Sequence, residues 1–89
     1  MKKVEFYNSV KTSVQYLSGL SREAWYNDGG DIVLKTSKRN IRLSCNRNVV
    51  TLYVRLYGEN ETVVTDYNKG YKDNMVALTV EKIGEFLTI

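Results

Sequence analysis

From Asp31 onward the chain stops repeating at three and four residues and starts repeating at two. That change of period constrains the fold more than any other feature. Ile32, Leu34 and Thr36 alternate with Val33, Lys35 and Ser37, and Ile41, Leu43 and Cys45 alternate with Arg42 and Ser44. Val50, Leu52, Val54 and Leu56 then alternate with Val49, Thr51, Tyr53, Arg55 and Tyr57, and a further run from Glu61 to Tyr67 is rich in Thr and Val. A period of two sends successive side chains to opposite faces of a strand, so each run has one apolar face to bury. The runs are joined by Ser37-Lys38-Arg39-Asn40, Asn46-Arg47-Asn48 and Gly58-Glu59-Asn60. Such short connections join antiparallel neighbours, because a parallel crossover needs about a dozen residues. An antiparallel meander is expected.

The flanking segments read as helices. Phe6, Val10, Val14 and Leu17, with Tyr7 beside them, form one apolar stripe, and Gly19 suits the left-handed position that ends a helix. Ser21 caps a short turn, Arg22-Glu23-Ala24-Trp25, with Leu20 and Trp25 at hydrophobic-staple spacing, and Asn27-Asp28-Gly29-Gly30 reads as a turn. Beyond Asn68-Lys69-Gly70, Met75 to Leu78 reads as a short fifth strand. Thr79 then caps a final helix over Val80 to Thr88, with Leu78 and Ile83 as its staple. One longer helix from Asp73 is the alternative, and Gly84 weakens either version by up to ~1 kcal/mol.

The fold class expected is α+β: a four- or five-stranded antiparallel meander covered on one face by an N-terminal and a C-terminal helix. With 89 residues it makes a single domain, 1–89. The expected core is Val10, Val14, Leu17, Trp25, Ile32, Leu34, Ile41, Leu43, Leu52, Val54, Leu56, Val76, Ile83, Phe86 and Leu87.

Composition narrows the chemistry. The chain has no histidine and one cysteine, Cys45, which removes the commonest acid–base side chain and the usual structural zinc sites. Neither a cofactor nor conventional catalysis is expected. A lone cysteine, no signal-like apolar stretch after Met1 and no run long enough for a membrane span fit a cytoplasmic protein. Asn, Lys and Tyr number eight, eight and seven, and there is no proline. AT-rich codons produce that bias, and it is common in phage and mobile-element genes.

The strongest functional signal is charge. Residues 32–57 carry Lys35, Lys38, Arg39, Arg42, Arg47 and Arg55 and no acidic residue, a net charge of +6 against −3 for the rest. The alternation directs Lys35, Arg42 and Arg55 to the face away from the helices, together with Tyr53, Tyr57 and Tyr67. Lys38, Arg39 and Arg47 fall in the turns at its ends. Cations interleaved with aromatics suit single-stranded nucleic acid, whose phosphates meet Lys and Arg while bases stack on rings. They equally suit an acidic protein or ribonucleoprotein surface, since Tyr and Arg concentrate at interface hot spots. The plainest reading is that Tyr and Thr are ordinary sheet residues on a solvated face. The function expected is a non-catalytic binding protein, an inhibitor or modulator of a host nucleic-acid-handling or defence complex in the manner of an anti-CRISPR. A direct nucleic-acid-binding module is the alternative, and an open sheet edge offers a route to a homodimer.

Other constellations are weaker. Asn27-Asp28-Gly29-Gly30-Asp31 has two carboxylates for Ca²⁺ but lacks the later bidentate Glu of an EF-hand loop. Glu81 and Glu85 form an acidic stripe, and Tyr67, Lys69, Tyr71 and Lys72 a polar cluster in a connection. Cys45 points inward, with no histidine to activate it. The opening Met1-Lys2-Lys3-Val4-Glu5-Phe6 resembles the start of the RelE ribonuclease toxins. The resemblance covers six residues, and that family opens with a strand before two long helices, whereas this chain enters a helix at once.

Overall fold

The computed structural model describes residues 1–88. Helix α1 (Lys3–Ser18) is followed by a 3-10 turn (Arg22–Ala24), strands β1 (Trp25–Asp28), β2 (Asp31–Lys35), β3 (Arg39–Asn46), β4 (Val49–Leu56) and β5 (Thr62–Tyr67), and helix α2 (Asp73–Leu87). The strands form one open antiparallel sheet in the order β1-β2-β3-β4-β5, and both helices pack on its inner face. The α+β meander is therefore five-stranded.

Alternation places Ile32, Leu34, Ile41, Leu43, Cys45, Val50, Leu52 and Val54 in the inner layer. Phe6, Tyr7, Val10 and Val14 of α1 and Met75, Thr79, Val80 and Ile83 of α2 close over them. Gly19, at φ 74°, ends α1 by donating its N–H to Gln15 O at 2.9 Å. Two hairpins use positive φ at both central residues: Gly29 and Gly30 between β1 and β2, and Arg47 and Asn48 between β3 and β4. That geometry matches the strand twist, and glycine or asparagine reaches it most easily.

Several expectations are corrected. Met75 to Leu78 is the start of α2: Met75, Thr79 and Ile83 are buried at four-residue steps, while Leu78 is 40% exposed. The longer helix from Asp73 is thus the right alternative, and Thr79 sits inside it and not at a cap. A four-residue apolar run satisfies both periods, so the cover the sheet requires decides between them. Trp25 to Asp28, read as the end of a helical turn and a loop, is β1. Leu17 is 70% exposed because the last turn of α1 runs beyond its buried stripe. Phe6 and Met75 are fully buried in its place, and Leu56, Val76, Phe86 and Leu87 are half-buried around the core.

Tyr7 ties the layers together. Its hydroxyl donates to Gly30 O at 2.9 Å and accepts the Cys45 N–H at 2.8 Å. Burial raises the pKa of the Tyr7 phenol above its ordinary value and pushes the Cys45 thiol up to about 12, so Cys45 stays protonated near neutral pH. It is a core residue with an unreactive thiol.

Candidate functional site

The outer face of the sheet is organised in rows that cross the strands. The central row runs in register through Tyr26, Val33, Arg42, Tyr53 and Val63, one residue from each strand. Tyr26 and Val63 are 47% and 57% exposed, whereas Val33 is 3% exposed although it faces away from the helices. Its cross-strand neighbours, Tyr26 and Arg42, flank it on both sides.

Arg42 is the hub of this face. Its guanidinium lies 3.4 Å from Asp28, 3.3 Å from Asp31 and 3.2 Å from Glu61. Burial alone would lower its pKa, but hydrogen bonding to Asp31 and the charges of Glu61 and Asp28 outweigh that and hold it above its ordinary value. The carboxylates of the β1–β2 turn, weighed above as a Ca²⁺ loop, therefore serve Arg42. Among the described residues, no group of three or more His, Cys, Asp or Glu is arranged to hold a metal ion.

The remaining rows differ in charge, apart from Glu61, which precedes β5 at the Arg55 end and pairs with Arg42. Toward the β1–β2 turn lie Asp28 and Asp31, with Thr51 and Asp66 hydrogen-bonded at 3.2 Å on β4 and β5. Toward the β2–β3 turn lie Lys35, Asn40 and Arg55, in register on three strands. Asn40 accepts from Arg55 Nη2 at 3.0 Å once its amide oxygen faces the guanidinium. The acid-free stretch of sequence is not an acid-free surface, because the partner strands return carboxylates to its middle.

Three cations that make no ion pair among the described residues gather at one end. A concavity of about 560 Å³ is lined by residues 35–40 together with Arg55, Tyr57 and Gly58, and among the described residues no carboxylate lines it. The β2–β3 turn that forms its floor is firmly built. Thr36 Oγ1 donates to Arg39 O at 3.1 Å and accepts the Arg39 N–H at 3.2 Å, and Tyr57 N–H donates to Lys38 O at 2.9 Å. Lys35 and Lys38 are exposed, Arg55 is half-buried, and none of the three makes an ion pair among the described residues. Tyr57 is 86% exposed.

Of the nine expected site residues, Lys35, Lys38, Arg55 and Tyr57 come together here, with Tyr53 beside them in the central row. Arg42 is committed to its three carboxylates. Arg39 is only 7% exposed and donates through Nη1 to Leu87 O at 3.2 Å, because its position on β3 is an inner one. Arg47 lies at the far end of the strand, roughly 20 Å or more away along β3. Tyr67 pairs with Val50 and packs against the core, because the β4–β5 irregularity beside Tyr53 shifts its face. Sequence reasoning missed Tyr26, Val33 and Val63. For Tyr26 a signal existed, since Asp28-Gly29-Gly30 after two aromatic residues is a hairpin pattern.

The chain matches no protein-family model, and neither a curated protein nor a solved structure is significantly similar to it.

Proposed function

We propose that this is a non-catalytic binding protein that docks a protein partner on the outer face of its sheet. The central row of Tyr26, Val33, Arg42, Tyr53 and Val63, between a basic and an acidic border, carries the reading. Tyr26, Tyr53 and Val63 supply apolar contact while Val33 is buried between its neighbours, and the borders favour one orientation of a partner with opposite polarity. A single strand of nucleic acid laid along β3 or β4 would leave the basic end and run onto Asp28, Asp31 and Asp66. The positively charged track such binding requires is too short here. The sheet face measures roughly 19 Å by 24 Å in projection, or about 500 Å². A standard interface buries about 800 Å² per partner, so the partner also engages the turns.

The role that suits so small a module is inhibition or modulation of a larger nucleic-acid-handling or defence complex, with the basic end held against acidic groups. Affinity capture from host lysate, with and without nuclease, tests the class. A nuclease-resistant protein partner is expected, with Tyr53→Ala weakening it by about 2 kcal/mol, near thirtyfold. Capture abolished by nuclease means direct nucleic-acid binding. Unchanged capture by a folded Tyr26→Ala/Tyr53→Ala double variant removes this face from the interface.

A further inference from the structure

We propose that the concavity at the β2–β3 turn binds a nucleoside phosphate, with phosphates on Lys35, Lys38 and Arg55 and the base against Tyr57. This goes beyond the protein-docking reading and stands without it.

The charges come first. The structure compensates Arg42 three times over and points Arg39 at Leu87 O, yet leaves Lys35, Lys38 and Arg55 lining one space with no carboxylate among the described residues around it. Three cations converging without acids repel one another, and an anion with more than one charge relieves that repulsion. Two lysines act as mobile point charges, while the Arg55 fork is steadied by Asn40. Rigidity is the second point, because the floor of the site is fixed by the Thr36 hydroxyl and by the Tyr57 N–H to Lys38 O bond. Lys38 therefore projects from a turn, and Lys35 and Arg55 from paired strands, that need not reorganise.

Tyr57 separates a nucleoside phosphate from a bare oxyanion. At 86% exposure its ring offers a free aromatic surface at the rim of a cationic site, where a base stacks regardless of its sequence identity. The space, about 560 Å³, falls within the roughly 300–1,000 Å³ typical of small-ligand sites. Its lining mixes polar and apolar surface, which suits a ligand with a charged part and a flat ring.

The test is titration of the isotopically labelled chain with ADP and, separately, with inorganic pyrophosphate, followed by backbone amide shifts at low salt. Saturable shifts confined to residues 35–40, 55 and 57–58 are expected, with ADP the tighter ligand. Lys38→Ser should weaken both ligands about tenfold, the loss of one charge-assisted contact. Tyr57→Ala should weaken ADP about tenfold and leave pyrophosphate unchanged. Arg47→Ser, at the far end of the sheet, should change neither. Both Lys38 and Tyr57 are exposed, and the same spectra report whether each variant is folded. Equal affinity for ADP and pyrophosphate, or a Tyr57→Ala effect shared by both, overturns base recognition. Absence of saturable shifts at millimolar ADP, or an Arg47→Ser effect as large as that of Lys38→Ser, overturns the site. Each result is read on the purified chain, so none depends on finding a protein partner.

Discussion

Leu52 and Tyr53 are neighbours on β4, yet they belong to regions of the sheet built on different physics. The inner face around Leu52 is buried and, apart from Thr65, apolar, and each apolar side chain there contributes about 1.5–3 kcal/mol by leaving water. Around Tyr53 the outer face is held by side-chain pairs instead: Arg42 with its three carboxylates, Thr51 with Asp66, and Asn40 with Arg55. Exposed pairs of this kind contribute about 0–1 kcal/mol each. The inner face therefore fixes the fold. The outer face fixes which charges remain available, and it can change without the fold changing.

The widest separation should come from truncating the two neighbours. Leu52→Ala is expected to cost about 2–5 kcal/mol through lost burial and a residual cavity, a large fraction of the stability of so small a domain. Tyr53→Ala is expected to cost about 1 kcal/mol, in keeping with a half-exposed cross-strand position. Equal shifts of the two denaturant midpoints would erase the distinction between the faces.

Alkali should attack the inner face selectively. Burial raises both Tyr7 and Cys45, so the folded state keeps protons that the unfolded chain releases above their ordinary values of 10.0 and 9.0. Their contribution to stability is complete below pH 9, declines as pH rises and, for Cys45, is lost through about pH 12. The slope should approach about 1.4 kcal/mol per pH unit for each proton. Denaturation curves from pH 8 to 11 test this, and Cys45→Ala should flatten the first part of the decline. A midpoint that stays constant to pH 11 would contradict the burial of the pair.

Charge reversal gives the smallest difference and resolves the outer face itself. Arg42→Glu sets a fourth carboxylate among Asp28, Asp31 and Glu61 and is expected to cost about 1–2 kcal/mol. Arg55→Glu, at the uncompensated end, should stay within about 0.5 kcal/mol of the parent. The gap should narrow in high salt, since the cluster is only partly buried. Identical losses would mean that the acids around Arg42 do not distinguish it from an ordinary surface cation.

Alternation at two was enough to identify the last four strands, their antiparallel order and the inward set Ile32, Leu34, Ile41, Leu43, Leu52 and Val54, because these are local properties of the chain. It failed where a local pattern is too short: β1 has four residues, and Met75 to Leu78 fits a strand as well as the first turn of α2. It also failed where one residue changes the parity. Val63 and Tyr67 share a face under strict alternation, but the irregularity between them moves Tyr67 to the core side opposite Val50.

The candidate site was legible as a list of cations but not as a surface. Asp31 and Glu61 lie 11 and 19 residues from Arg42 along the chain and within 3.3 Å of it in space, so only strand pairing could cancel that charge. The same pairing put Arg39 inside, sent Arg47 to the opposite end and left Lys35, Lys38, Arg55 and Tyr57 around one concavity. Sequence by itself determined four of the five strands, the hairpins between them and the excess of positive charge, because hydrophobic period and turn chemistry act over a few residues. Tertiary structure alone decided where that charge is free, because Coulomb interactions follow distance in space and not separation along the chain.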